Sequence, residues 1–264
     1  MRALRLVRRI FANRRVRALT PPVLFLALWW AATSHAWVSS LVLVPFGRLL
    51  HAAGDPEVRT SLLAGVGATF TRLVQGGLVG GAVGLALGMA MGLSRRFDRV
   101  MGPSFHAFRQ VAIFAWIPLL TAWFGNGNLC KIVFVAIAAA KPLVMGAYQG
   151  VRGVDPHHLE LGRVLCFSRA RQLRRIILPA ALPAIFTALQ LSLIFAWFAA
   201  IGAEYVIGAL AGGIGSVVMA AQEHLRTEVV LLGVLLISTI GIVLNVLLRR
   251  LPRLLFRWKD PAAV

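Results

Sequence analysis

Acidic residues and cysteines are scarce in this chain. Nine Asp and Glu residues in 264, and a charged fraction of only 14%, compare with about 25% charged residues in an ordinary soluble domain. So little charge beside so much apolar character excludes an intrinsically disordered chain. Two cysteines, Cys130 and Cys166, are too few for a disulfide-stapled secreted domain, form no CxxC, and have no ligand-spaced histidines beside them. No Walker A loop, HExxH or GxSxG occurs, so the motifs that would place ATP hydrolysis or hydrolase chemistry in this chain are missing. A catalytic role is not expected, and neither is a bound metal or cofactor.

What the chain has in abundance is apolar surface, with 59% hydrophobic residues. A soluble globule leaves more than half of its accessible surface in water and cannot hide that much. Lipid removes the difficulty, so an integral membrane protein is the expected class. The net charge of +19 would suit nucleic acid if it were spread over one face. Instead, 21 of the 28 Lys and Arg residues fall in four clusters, at Arg2–Arg17, Arg95–Arg99, Arg152–Arg175 and Arg249–Lys259, separated by apolar stretches. That is the positive-inside pattern, and these clusters also sit where anionic lipid headgroups attract charge. Nucleic-acid binding is set aside.

Crossing the hydrocarbon takes about 20 helical residues. Six spans meet that length, at residues 18–38, within 62–93, and at 104–124, 129–150, 183–207 and 229–248, with Pro118 as an expected kink in the third. Residues 42–59, with Pro45, Gly54 and Pro56, form a connection with room for an interfacial helix. With the basic N-terminus inside, every other arginine cluster falls on the same side, which places both termini in the cytoplasm. The expected division is a basic N-terminus at 1–17, one transmembrane domain at 18–258 containing a cytoplasmic loop at 151–179, and a tail at 259–264. The fold class is all-α and polytopic.

Gly76, Gly80, Gly84, Gly88 and Gly92 recur in steps of four. On a helix that step stacks them along one face, where a neighbouring backbone can approach closely. Packing within the subunit and sliding during transport are both open readings. In the loop after span four, Asp155 followed by Pro156 is a strong helix start, and Leu159, Leu161, Val164 and Leu165 give that short helix an apolar side. Ser168 can cap a second, arginine-rich helix. Either this hairpin presents leucines to another protein or it lies on the lipid surface.

The stretch Glu160-Leu161-Gly162, then Cys166, Ile176 and Leu178-Pro179, resembles the EAA loop of bacterial ABC importer permeases. Its pattern is Glu-Ala-Ala, three residues, Gly, nine residues, Ile-x-Leu-Pro. The spacing fits throughout, while Leu161 and Gly162 replace the alanines and Cys166 replaces the glycine. Cysteine keeps the small size but does not favour a positive φ. Gly92–Asp98, Ile117–Leu120, Trp123–Gly125, Gly150–Pro156, Ala203-Glu204 and Gly213–Gly215 also resemble the branch that handles sulfonates, taurine and nitrate, and the likeness covers residues 60–258. Ile113-Phe-Ala-Trp116 stands where that family often has Pro-Pro.

The resemblance implies a type I importer permease in the bacterial inner membrane. It would pair with a second permease copy, dock a cytoplasmic ATPase dimer that holds ATP and magnesium, and receive a small anionic solute from a periplasmic or lipid-anchored binding protein. Asp155, Leu159, Glu160, Leu161, Gly162, Leu165 and Cys166 would form the coupling element, with the leucines as buried contact and Glu160 paired to a basic or N–H group on the ATPase. Gln110 and Gln190 either line the path or tie helices together, and Glu204 suits a structural or gating hydrogen bond. Arg109 and Lys141 read as anchors at helix ends. The competing function is a self-contained secondary transporter or channel, which calls for inverted repeats and mid-membrane charges. No repeat between the halves is visible.

Overall fold

A computed structural model describes residues 14–35, 39, 43–208 and 212–255. Residues 1–13, the end of the first span at 36–38 and residues 256–264, which include the tail at 259–264, lie outside them, and with them part of the terminal arginine clusters. Every regular element among the described residues is helical.

Helix α1 (Arg14–Ser34) precedes a short helix α2 (Phe46–Gly54). The indole of Trp29 donates to the Val44 carbonyl at 3.1 Å, and its ring lies 5.3 Å from that of Phe46. Asp55 then caps α3 (Pro56–Leu93), its carboxylate accepting from the Glu57 N–H at 2.9 Å, with proline in the first turn where no N–H is missed. Helix α4 (Arg95–Gln110) is capped by Ser94. A 3-10 turn (Ile113–Trp116) leads into α5 (Ile117–Phe124), and α6 runs Asn128–Arg152. The hairpin helix α7 (Pro156–Val164) is followed by α8 (Arg169–Val206), which contains a π-turn at Leu173–Ile177. Helix α9 (Ile214–Glu223) and α10 (Thr227–Leu255) complete the described chain.

The core is α6 sandwiched between α3 and α8. All five glycines of the four-residue ladder face α6. A Cβ on Gly76 would stand 2.7 Å from the Val135 side chain, and one on Gly92 2.7 Å from Val151. At Gly80 it would overlap the carbonyl of Ala136. On the other side of α6, Gly146 sits against Ala188, and Ser192 Oγ donates to the Ala139 carbonyl at 2.6 Å. Small residues at close crossings let dispersion replace the hydrophobic drive that lipid cannot supply.

Helices α3, α6, α8 and the Thr227–Arg250 part of α10 are long and apolar enough to cross a membrane. The region expected as a straight third span is instead bent by 99° between α4 and the segment Ile113–Phe124. The break falls at Val111-Ala112, and Pro118, expected to kink a span, lies in the first turn of α5. Lys141 holds the α4 side of the break. Its Nζ donates to the Val111 carbonyl at 2.8 Å and lies 5.1 Å from the centre of the Phe108 ring. It stands at the middle of α6, not at the helix end where an anchor was expected. At the other end of α4, Asp98 accepts from Tyr148 at 3.1 Å and from Arg152 at 2.8 Å. Among the described residues α1 is not one of these spans, and the first span expected at 18–38 runs past them.

Candidate functional site

Three places bring chemistry together. The first is the hairpin of α7 and the start of α8, at the arginine-rich end of the bundle. Asp155 accepts from the His157 N–H at 2.9 Å and starts α7. Gly162 is buried against the second arm, where a Cβ would meet Ile176 Cδ1 at 2.6 Å. Leu159 is half-buried, so it helps to hold the hairpin. Glu160 is exposed, as are Leu161 (58%), Val164 (79%) and Leu165 (62%). The hairpin turn is closed by Cys166 at φ +54°, with the Phe167 N–H bonded to the Gly162 carbonyl and the Cys166 N–H to that of Arg163, both at 2.9 Å. This is the double-bonded helix stop in which glycine is the usual left-handed residue.

The second is a buried charged cluster at the opposite end of the bundle. Glu204 accepts from Arg72 Nη1 at 2.5 Å and from the Gly215 N–H at 3.0 Å, and Thr69 Oγ1 lies 2.8 Å from both of its oxygens. Arg72 also donates to Asn128 Oδ1 at 2.5 Å and to the Gly212 carbonyl at 2.7 Å. Lys131, fully buried, donates to the Gly208 carbonyl at 2.8 Å. Gly213 lies over the Glu204 carboxylate at φ +134° with no room for a Cβ, so glycine is required there on both counts. The cluster therefore ties α3, α6 and α8 to the segment leading into α9.

Of this cluster, Glu204 and the stretch Gly213–Gly215 were singled out from the sequence, whereas Arg72, Thr69 and Lys131 were not, and α9 was not expected. A signal for Arg72 was available. It stands four residues before Gly76, in register with the glycine ladder, so it had to share the ladder's buried face.

The third is a cleft of about 890 Å³ between the α4–α5 break, α6 and α8, lined by Gln110 among others. Gln190 is elsewhere, its Nε2 donating to the Leu248 carbonyl of α10 at 2.7 Å. Among the described residues no group of three or more His, Cys, Asp or Glu is placed to hold a metal.

Long apolar helices built around one tightly packed span, with a helical hairpin at one end and a cleft along the bundle, define a multi-pass membrane protein. Residues 80–257 match the family described as binding-protein-dependent transport system inner membrane component, and the chain belongs to that family. It is 33% identical over 238 residues to the taurine transport system permease protein of Escherichia coli (strain K12), covering 88% of this chain and 86% of that one. It is 30% identical over 190 residues to the bicarbonate transport system permease protein of Synechococcus elongatus, covering 72% and 68%. Its fold is similar to that of a methionine ABC transporter in inward-facing conformations (TM-score 0.60, 20% identity, 74% of this chain and 98% of that one). It is similar also to an amino acid ABC transporter (TM-score 0.59, 20% identity, 77% and 96%). The chain is thus the non-catalytic permease subunit of an ABC importer, whose ATPase and solute-binding protein are other chains.

Proposed function

We propose that this permease imports a small solute carrying an oxyanion group, as a two-fold pair of copies in the cytoplasmic (inner) membrane. Each copy crosses six times with both termini in the cytoplasm and touches anionic headgroups through its arginine clusters. Residues 151–179 couple it to the ATPase, which holds ATP and magnesium, and this chain itself needs no cofactor. ATP-driven closure of the ATPase dimer moves the two hairpins together and turns the membrane pair from inward- to outward-facing.

One observation carries the coupling assignment. At the arginine-rich end, Leu161, Val164 and Leu165 are exposed together beside Glu160 on a helix whose buried face is already filled by Gly162 and Ile176. An apolar patch outside the hydrocarbon asks for a protein partner. Leu161 and Leu165 supply buried contact, Leu159 and Gly162 hold the hairpin closed, and Glu160 pairs with a basic or N–H group. Losing one partner of such a buried charge contact commonly costs about 2–5 kcal/mol of affinity. The anionic solute is supported by the relatives that carry taurine and bicarbonate. Glu204 acts as a structural lock at the far end, and the glycine ladder as a fixed packing face.

The test is affinity purification of the tagged chain from its native membranes in mild detergent, beside a Glu160→Ala/Leu161→Arg double variant. A P-loop ATPase should accompany the parent chain and be lost from the variant, while the variant still reaches the membrane. Equal recovery of the ATPase with both would remove the coupling role from α7.

A further inference from the structure

The cleft at the α4–α5 break is charged in one sense only. Of its nineteen lining residues, the ionisable ones are Arg109 and Lys141, both cations, and none is a carboxylate. Asp98, on the same helix as Arg109, lies outside the lining and is occupied by Tyr148 and Arg152. Gln110, Gln149 and Thr187 supply the other polar side chains. The volume, about 890 Å³, is in the range of small-molecule sites, roughly 300–1,000 Å³.

Lys141 is the informative residue. A cation in the apolar middle of α6, where Ala138, Ala139 and Ala140 precede it, is costly and marks an ion path by default. Among the described residues it makes one hydrogen bond, to the Val111 carbonyl, which engages one of three ammonium protons. The Phe108 ring fixes the position of Nζ without using a second proton. The charge is therefore held at the wall of the cleft with donor capacity to spare. Arg109 is exposed in the last turn of α4, two residues before the same break. Both cations are thus delivered to one place by the interruption of the helix.

We infer that this cleft is an oxyanion-attracting section of the translocation path, in which Lys141 and Arg109 draw in the solute's negative group while Gln110, Gln149 and Thr187 offer it hydrogen bonds. This rests on the reading of the solute as an anion. Contact would be brief and weakly selective, since a path must release what it attracts. Lys141 would have two duties, fixing the break and meeting the anion, whereas Arg109 would have only the second.

The experiment uses the full complex with its ATPase and binding protein. In a Cys166→Ser/Thr187→Cys chain, the rate of thiol modification is compared for a sulfonate-bearing and a trimethylammonium-bearing methanethiosulfonate. Two fixed cations should favour the anionic reagent, by roughly tenfold over the ratio for a free thiol in solution. Arg109→Gln and Lys141→Gln should each reduce that preference. In proteoliposomes loaded with ATP, the same neutralisations in the parent background should raise the KM for labelled taurine or bicarbonate several-fold, whichever the parent complex carries, with ATPase co-purification unchanged. Arg109→Gln is decisive, because no contact that holds the break is lost. If the parent complex carries a solute with an oxyanion group and Arg109→Gln changes neither the reagent preference nor KM, the cleft assignment is overturned while the permease reading stands. If the parent complex carries only solutes without an oxyanion group, the oxyanion reading fails first and takes this inference with it.

Discussion

Arg72 and Glu204, 132 positions apart, form an ion pair with 3% and 0% of their side chains exposed. The pair joins α3 to α8 at the end of the bundle opposite the hairpin, and Thr69 and the Gly215 N–H complete the carboxylate's shell. With Lys131 also buried nearby, the cluster carries two cations for one anion. Removing that anion leaves both cations without a countercharge in a low-dielectric setting.

Glu204→Ala should therefore destabilise the detergent-solubilised protein by about 3–5 kcal/mol, the usual result of breaking a buried pair from one side. An Arg72→Met/Glu204→Met double variant should lose less, because no guanidinium is stranded. Thermal or denaturant unfolding of the three proteins tests this. Equal losses for the single and double variants would mean that the pair is not coupled.

The glycine ladder permits a paired test on one helix. A methyl group at Gly80 overlaps the Ala136 carbonyl, whereas one at Gly77 meets nothing within 4 Å. Gly80→Ala should cost about 1–3 kcal/mol through forced separation of α3 and α6. Gly77→Ala should be neutral or slightly stabilising, because alanine is the better helix former by about 1 kcal/mol. Yield of folded protein and unfolding midpoints should rank Gly77→Ala at or above the parent and Gly80→Ala well below it. The reverse order would place α6 against the other face of α3.

Gln190 separates a helix tie from a path residue. Its Nε2 donates to a backbone carbonyl of α10 and is absent from the cleft lining. Gln190→Leu should reduce stability by about 0.6 kcal/mol, the average for such bonds between membrane helices, and leave uptake KM unchanged. A rise in KM with unaltered stability would instead put Gln190 in the path.

How much of this was legible in the sequence depended on whether the cause was local. Length and apolarity located the helices that become α3, α6, α8 and α10, because lipid forces backbone bonding within each segment. Four-residue spacing gave the ladder, and Asp155-Pro156 gave the start of α7. The break at Val111-Ala112 was not legible, and the contact that holds it is tertiary: Lys141, 30 residues away, bonds the Val111 carbonyl. Pro118 drew attention to the wrong place for a related reason. A proline signals either a kink or a helix start, and only the position of the preceding break decides between them. Arg72, Thr69 and Lys131 were missed as a group, since Glu204 meets them only when three helices come together.

Cys166 is the place where sequence and backbone disagree. The stop of α7 needs a left-handed residue at this position, and cysteine adopts φ +54° there while both closing hydrogen bonds form at 2.9 Å. For an L-residue that conformation costs roughly 1–2 kcal/mol, a cost glycine avoids. The thiol does little to offset it, since Sγ lies 3.9 Å from the Val164 carbonyl. Cys166→Gly should therefore stabilise the hairpin by about 1 kcal/mol, less than the full penalty because glycine also gains freedom in the unfolded chain. The amides of α7 should exchange severalfold more slowly in that variant. Cys166→Val should act in the opposite direction, since a β-branched residue tolerates a positive φ least. Hydrogen exchange followed by mass spectrometry over residues 155–170 reads both changes locally. Faster exchange in Cys166→Gly would show that the cysteine side chain holds the turn, and that its left-handed backbone is not a source of strain.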